Sequence, residues 1–514
     1  MSKTIIIIGA GLAGLSAALQ AAENGCNVKL VSSLPSERAQ SVMAEGGINA
    51  ALNTKDENDS PEEHFTDTIK AACGLADPNA VWGMTQAAPE LVHWLLKLGV
   101  KFNMSGYDDV DLRNFGGQKK KRTAFAQSDT GKQIMTAMID AVRRKEASGM
   151  VERFSHHSFL TLRLCGNICC GCVIRDEYSQ ETVELPGDAV IVATGGMHGL
   201  FGNTTGSLSN TGEVTAELFR LGVPLANSEM IQYHPTTVKC GGKRMLISEA
   251  ARGEGGRLFA MKDGKQWYFM EEKYPELGNL MPRDITAREI WKVSHESEVF
   301  LDMTEISEEI ISNKLSGLAD DCMTYLHKDI RKEPVSVLPG IHYFMGGILV
   351  DEQHRTPIQN LYAAGECCAQ YHGANRLGGN SLLGALYGGR VAAKSACEQA
   401  DVVDLSCATQ IDFPPASQIS EIKQLNKVMQ ETMGVVRNEN TLLNGIQTVQ
   451  ALTGNLPLLG MAVLKSALAR KESRGAHWRE DYPKSNDNDY LKTTVARFDG
   501  KQIQISFVPV PERR

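Results

Sequence analysis

No apolar run in this 514-residue chain approaches the ~20 residues that span a bilayer. The N-terminus, MSKTIIIIGAG, passes from one lysine into only four isoleucines, too short for the apolar region of a secretory signal. A cytoplasmic protein is therefore expected, and its twelve cysteines are expected as free thiols in a reducing compartment. Those cysteines also lack a metal-ligand pattern. Cys165, Cys169, Cys170 and Cys172 run C-x3-C-C-x-C, which fits neither a zinc ribbon nor a ferredoxin, so they read as strand residues of a hairpin over 162–176 and no metal is expected. Excess positive charge is missing too. The net charge of −8 argues against nucleic acid or an anionic membrane surface as a general partner. The basic run Lys119-Lys120-Lys121-Arg122 is an exception and reads as a solvated loop.

Two further absences are local. The strand NVKLVS (27–32) ends in Ser32-Ser33, with no acidic residue to hold ribose hydroxyls. The glycine-rich stretch AQSVMAEGG (39–47) contains no His, Cys, Tyr or Lys that could bond covalently to a ligand.

The remaining composition, 42% hydrophobic and 22% charged, is that of an ordinary globular chain. Its length suggests roughly three domains at ~150 residues each. It opens as strand, glycine turn, helix and strand: TIIII (4–8), GAGLAG (9–14), LSAALQAAENG, then NVKLVS. This βαβ unit carries GxGxxG at Gly9, Gly11 and Gly14. Such a turn lets backbone approach a pyrophosphate and aims a helix N-terminus at it, so a dinucleotide is expected. DAVIVATGG (188–196) and LYAAGECC (361–368) read as buried strands that flank the cofactor from distant parts of the chain. From residue 401 the pattern turns helical, as in 419–436, and from Asp481 it becomes polar and strand-like, with a tail.

Five segments concentrate polar residues among glycines: QYHPT (232–236), SEAARGEGG (248–256), MPRD (281–284), IHYFMGG (341–347) and HGANRLGGNSLLGALYGGR (372–390). They offer His234, Glu249, Arg252, Arg283, His342, His372 and Arg376. Guanidinium forks match carboxylates, which makes a dicarboxylate site the better reading of the set.

Taken in order along the whole chain, GAGLAG, AEGGINAA, FGG…RTAFA, ATGG, QYHPT, EAARGEGG, PRD, HYFMGG, AAGE, HGANRLGGNSL and ESRGAHWREDYP (472–483) resemble the flavoprotein subunit of the succinate dehydrogenase/fumarate reductase family. The resemblance implies an α/β fold: a Rossmann-like FAD-binding domain in two parts (1–227 and 341–400), an inserted α+β capping domain (228–340), and a helical domain with a C-terminal tail (401–514). It implies FAD held by Gly9, Ala10, Gly11, Ala13 and Gly14, with Ser32 and Glu213 alongside. Gln40, Ser41, Ala44, Glu45, Gly46 and Gly47 would hold it from the glycine-rich stretch. Thr194, Gly195 and Glu366 would do so at the two strand ends, and Arg376, Ser381 and Leu382 at the last glycine-rich segment. It further implies a fumarate/succinate site. His342 and Arg376 would bind one carboxylate, and His234, with Ser248 and Glu249, the other. Arg283 would be the proton donor, resupplied through Glu249 and Arg252.

Many relatives place a flavin-bonding histidine where this chain has Gln40, so noncovalent FAD is expected. The missing bond favours reducing fumarate over oxidising succinate, and an ionised Glu45 near the flavin would act in the same direction. The resemblance implies an iron–sulfur partner subunit, sometimes with a membrane anchor that would hold the protein to the cytoplasmic face. L-aspartate oxidase is an alternative, although it typically has RMASNSL where this chain has RLGGNSL. A noncatalytic FAD-binding or assembly protein is another, opposed by the full set of His and Arg residues.

Overall fold

The computed structural model describes residues 2–106, 108–400, 413 and 419–514. Its centre is a five-stranded parallel sheet in the order Leu361–Ala363, Ala189–Val192, Thr4–Ile8, Asn27–Ser32, Val151–Ser155. The middle strand carries Ile5 to Ile8, all buried, because helices and loops cover both faces of a parallel sheet. The two strands expected to flank a cofactor are neighbours here, although about 170 residues separate them in the chain.

The glycine turn is dictated by crowding. Gly9 has φ +110°, and a Cβ there would lie 2.3 Å from the Ala193 carbonyl oxygen. A Cβ on Gly14 would lie 1.8 Å from the Gly9 oxygen. Only glycine lets helix Leu12–Glu23 start this close to the sheet. The same helix packs on helix Asn380–Gln399, where a Cβ on Gly389 would meet the Ala13 oxygen at 2.3 Å.

The polypeptide then leaves the sheet for an inserted α+β unit. Strand Ile231–Cys240 pairs with Lys243–Leu246 on one side and with Leu338–Phe344 on the other. A second, four-stranded sheet and helix Arg283–Val293 complete the unit around its own apolar core. Helices Ile419–Thr432, Glu439–Val449 and Asn455–Ala469 follow. The expected boundary at 401 falls beside residues 401–412, which lie outside the described residues. The final strands, Lys492–Phe498 and Ile503–Pro509, join a five-stranded sheet through Leu225–Ala226. No helix among the described residues is long and apolar enough to cross a membrane.

Two sequence expectations are corrected. Arg122 is not part of a solvated loop: it is fully buried, 2.9 Å from Asp59 and 2.9 Å from Asp67, while Lys120 and Lys121 do reach solvent-side carboxylates. Cys165 is disulfide-bonded rather than free, and sits at the turn end of strand His157–Cys165. Cys169, Cys170 and Cys172 are free and buried in the partner strand Ile168–Asp176, as a hairpin reading requires.

Candidate active site

The chain ends of the parallel strands open into a cavity of about 560 Å³. One end is built for a dinucleotide. Gly9, Ala10, Gly11 and Ala13 line it from the glycine turn, and Ser32 from the end of the second strand. Helix Leu12–Glu23 has no N-cap side chain bonded to its first turn and no acid there, so its first-turn N–H groups suit a pyrophosphate. The Ser32 hydroxyl is buried with no partner, as a group waiting for a ribose hydroxyl would be. Thr194, Gly195, Glu213 and Glu366 line the cavity from the neighbouring segments. Gly379, Ser381 and Leu382 bring in a second uncapped helix start, that of Asn380–Gln399. The residues present fit FAD. Gly14 does not line the cavity and acts through helix packing alone.

The glycine-rich stretch forms one wall. Gln40, Ser41, Ala44, Glu45, Gly46 and Gly47 all line the cavity. The Gln40 side-chain oxygen accepts a hydrogen bond from the Ser207 backbone N–H at 2.7 Å. Ser41 Oγ accepts from the Leu12 N–H at 3.3 Å. Glu45 departs from an ordinary carboxylate. Burial, reinforced by Asp321 and Asp129, outweighs Arg113 and pushes its carboxyl up to about 8, so it is neutral at pH 7. Its Oε2 has no partner. A protonated Glu45 adds no negative charge to this wall at pH 7.

The opposite end gathers the polar residues of QYHPT, SEAARGEGG, PRD, HYFMGG and GANRLGG. Arg283, the first residue of helix Arg283–Val293, forks onto one oxygen of Glu249, with Nε at 2.9 Å and Nη2 at 2.6 Å. The other Glu249 oxygen accepts from Arg252 Nη2 at 3.0 Å, and Arg252 Nη1 donates onward to the Asn279 carbonyl at 2.5 Å. These are charge-assisted bonds in a buried setting, where they are strongest. Burial alone would raise the Glu249 carboxyl, but Arg283 and Arg252 together outweigh it and hold it below the usual range. It is an anion between two guanidiniums.

His234 and His342 sit edge to face, with ring centroids 5.1 Å apart. Burial first, and then Arg283 and Arg252, push His234 well below its ordinary pKa. Burial and His234 do the same to His342, whose Nδ1 lies 2.8 Å from Thr205 Oγ1. Both rings are neutral at pH 7. Arg376 lies over the Tyr343 ring at 4.3 Å and keeps an unpartnered Nε. Burial and the nearby Arg283 lower its pKa to about 9, so it stays charged at pH 7. Ser248 caps the short helix Glu249–Gly253, accepting from the Ala250 N–H at 3.4 Å, and also lines the cavity.

The structure thus brings together His234, Ser248, Glu249, Arg283, His342 and Arg376 on one cavity wall, with Arg252 behind Glu249. His372 does not join them: it is buried beside Tyr343 and Tyr371, off the cavity. Gln232 was missed as a site residue, although it opens the QYHPT segment. Its amide donates to the Arg376 carbonyl at 2.8 Å and to Asn375 Oδ1 at 2.9 Å, which turns its oxygen toward Arg283 Nη1 at 3.1 Å. Arg113 was missed as well. It holds the glycine-rich stretch by donating to the Gly46 carbonyl at 2.6 Å and the Glu45 carbonyl at 3.3 Å.

A family model described as FAD binding domain matches residues 4–382, and one described as Fumarate reductase flavoprotein C-term matches residues 452–513. The chain is 37% identical to a succinate dehydrogenase flavoprotein subunit of Bacillus subtilis, over 100% of this chain and 98% of that relative. It is 32% identical to the 8-methylmenaquinol:fumarate reductase flavoprotein subunit of Wolinella succinogenes, over 100% of this chain and 92% of the relative. Among solved structures, a variant of the quinol fumarate reductase flavoprotein of E. coli matches with a TM-score of 0.90 at 27% identity, covering 99% of this chain and 97% of that one.

Proposed function

The chain belongs to the succinate dehydrogenase/fumarate reductase flavoprotein family, and from that membership we propose that it interconverts fumarate and succinate with Arg283 as the proton donor. The observation that carries this reading is the row Arg283–Glu249–Arg252 running inward from the cavity wall. Arg252, Arg283 and Arg376 against Glu249 leave two positive charges in excess, which matches a dicarboxylate. His342 and Arg376 take one carboxylate. His234, with Ser248, takes the other, and the neutral imidazoles serve as hydrogen-bond donors that do not trap the product by charge. Clamping both carboxylates would twist one of them and polarise the double bond between them.

Bound FAD supplies the hydride. Arg283 delivers a proton to the neighbouring alkene carbon. An arginine is a weak acid, so its proton must be replaced at once. Glu249, an anion, acts as the relay: it accepts a proton from Arg252 and passes one to Nη2, 2.6 Å away. Gln232 keeps the Arg283 fork aimed. The inserted unit closes over the substrate and excludes water, which strengthens each of these interactions. FAD is held without a covalent bond, because Gln40 stands where a nucleophile would be needed. Electrons reach it from an iron–sulfur partner subunit, with or without a membrane anchor on the cytoplasmic side.

The names of the relatives do not favour L-aspartate oxidase. The purified holoprotein should oxidise reduced viologen when given fumarate. Peroxide formed from L-aspartate, with no fumarate reduction, would replace this reading by the oxidase. Absence of both activities would leave a noncatalytic FAD-binding protein.

A further inference from the structure

We propose that Cys26 and Cys397 form a reversible thiol–disulfide site that locks together the two helices bordering the dinucleotide cavity. Their sulfurs are 2.9 Å apart, although 371 positions separate them in the chain. Cys26 stands between helix Leu12–Glu23 and strand Asn27–Ser32. Cys397 is in the last turn of helix Asn380–Gln399. The opposite ends of these same helices, at Leu12, Ala13, Ser381 and Leu382, border the first cavity. A crosslink at Cys26–Cys397 would therefore pin the far ends of both elements that present their N-termini to the cofactor. At 2.9 Å the two sulfurs need little movement to meet, and Lys3 Nζ ties the Cys397 carbonyl at 2.8 Å.

Access comes through a second cavity of about 880 Å³, which shares no lining residue with the first. Both cysteines line it, beside Trp94, Tyr387 and Arg390. Cys397 is half-buried and Cys26 is 5% exposed, so an incoming reagent meets Cys397 first. Cys169 and Cys172, by contrast, are fully buried and border neither cavity.

The oxidant class is a low-molecular-weight disulfide. The Cys397 thiolate attacks one of its sulfurs; that S–S bond breaks, and one small thiol leaves with the bonding electrons and takes up a proton. Cys26 then attacks the Cys397 sulfur of the mixed disulfide, loses its own proton and expels the second small thiol. Two protein thiols are oxidised and one small disulfide is reduced to two thiols. Burial and the neighbouring Cys26 push the Cys397 thiol up to about 12, so thiolate is scarce and the exchange is slow at neutral pH.

The test uses the reduced holoprotein treated with glutathione disulfide, quenched by alkylation under denaturing conditions and digested without reductant. The expected product is one crosslinked peptide pair containing Cys26 and Cys397. Its rate of formation should rise about tenfold per pH unit, as the thiolate fraction does. In Cys26→Ser, a glutathione adduct should persist on Cys397 while FAD stays bound. Oxidised protein should also release FAD more slowly in urea, and reductant should reverse the effect. Recovery of both cysteines in alkylated form after oxidation, or pairing of either with another cysteine, would overturn the proposal.

Discussion

Replacing Arg283 by alanine removes three buried hydrogen bonds at once: two to a single oxygen of Glu249, at 2.9 and 2.6 Å, and one to Gln232 at 3.1 Å. Two effects follow and can be measured separately. The first is structural. Glu249 keeps Arg252 but loses its strongest opponent to burial, so its carboxyl pKa climbs. Breaking one partner from a buried pair costs about 3–5 kcal/mol, and the variant should melt at a lower temperature. The second is chemical. A positioned proton donor contributes roughly 10²–10⁴ in rate, equivalent to about 3–5 kcal/mol of barrier. Viologen-coupled fumarate reduction, normalised to bound FAD, reads this second term alone, since unfolded protein carries no cofactor. The alanine variant should retain FAD and lose at least about 99% of its rate at saturating fumarate. Arg283→Lys should be nearly as poor, because one ammonium cannot span Glu249 and Gln232 together. A flavin-replete alanine variant with more than about a tenth of the wild-type rate, a loss under ~1.4 kcal/mol, would refute the proton-donor role.

Acid precipitation should leave the yellow colour in the supernatant, and a yellow pellet yielding a flavinylated peptide would contradict the reading of Gln40. Fumarate reduction by the purified chain should be faster than succinate oxidation. A flavin midpoint potential at or above the fumarate/succinate couple, with succinate oxidation faster, would reverse that direction. Gln40 carries this expectation alone near pH 7, because Glu45 is mostly protonated there. The raised Glu45 pKa has its own consequence. The folded protein keeps a proton that the unfolded chain releases above its ordinary 4.5, so stability falls as pH rises from there to about 8. The slope from this group is at most about 1.4 kcal/mol per pH unit. Glu45→Gln should flatten urea-melt stability across that window, and an unchanged slope would show the carboxyl to be already ionised.

The parts of this architecture readable in the sequence are those fixed locally or by burial. The turn at Gly9 and Gly14 is imposed by backbone contacts within a few residues and the adjoining strand. The strands at 189–192 and 361–363 declare themselves by unbroken apolar runs. The glycine-rich segments do concentrate the site, with His372 as the exception. What stayed hidden depends on partners far away in the chain. Arg122 reads like its solvated neighbours until Asp59 and Asp67 fold around it. Glu45 looks like an ordinary anion until the fold buries it and brings Asp321, from the inserted unit, and Asp129 near it. The orientation of Gln232 is set by Asn375 and the Arg376 carbonyl, more than 140 positions downstream.

The order of the central sheet also sets a timetable for synthesis. Strand Thr4–Ile8 is among the first segments to emerge from the ribosome, but strand Ala189–Val192 waits for its outer neighbour, Leu361–Ala363. At 5–20 residues per second, the ~170 residues between strand Ala189–Val192 and that neighbour take roughly 8–34 s to translate. During that interval the apolar strand Ala189–Val192 presents an unpaired edge, the kind of surface that recruits strands from other nascent chains. The helix start at Asn380–Gln399, which closes the dinucleotide cavity, is made later still. Cofactor capture is therefore a late, essentially post-translational event. Scarcity of flavin should show first as loss of newly made chains to aggregation and proteolysis, before any loss of activity from chains already loaded.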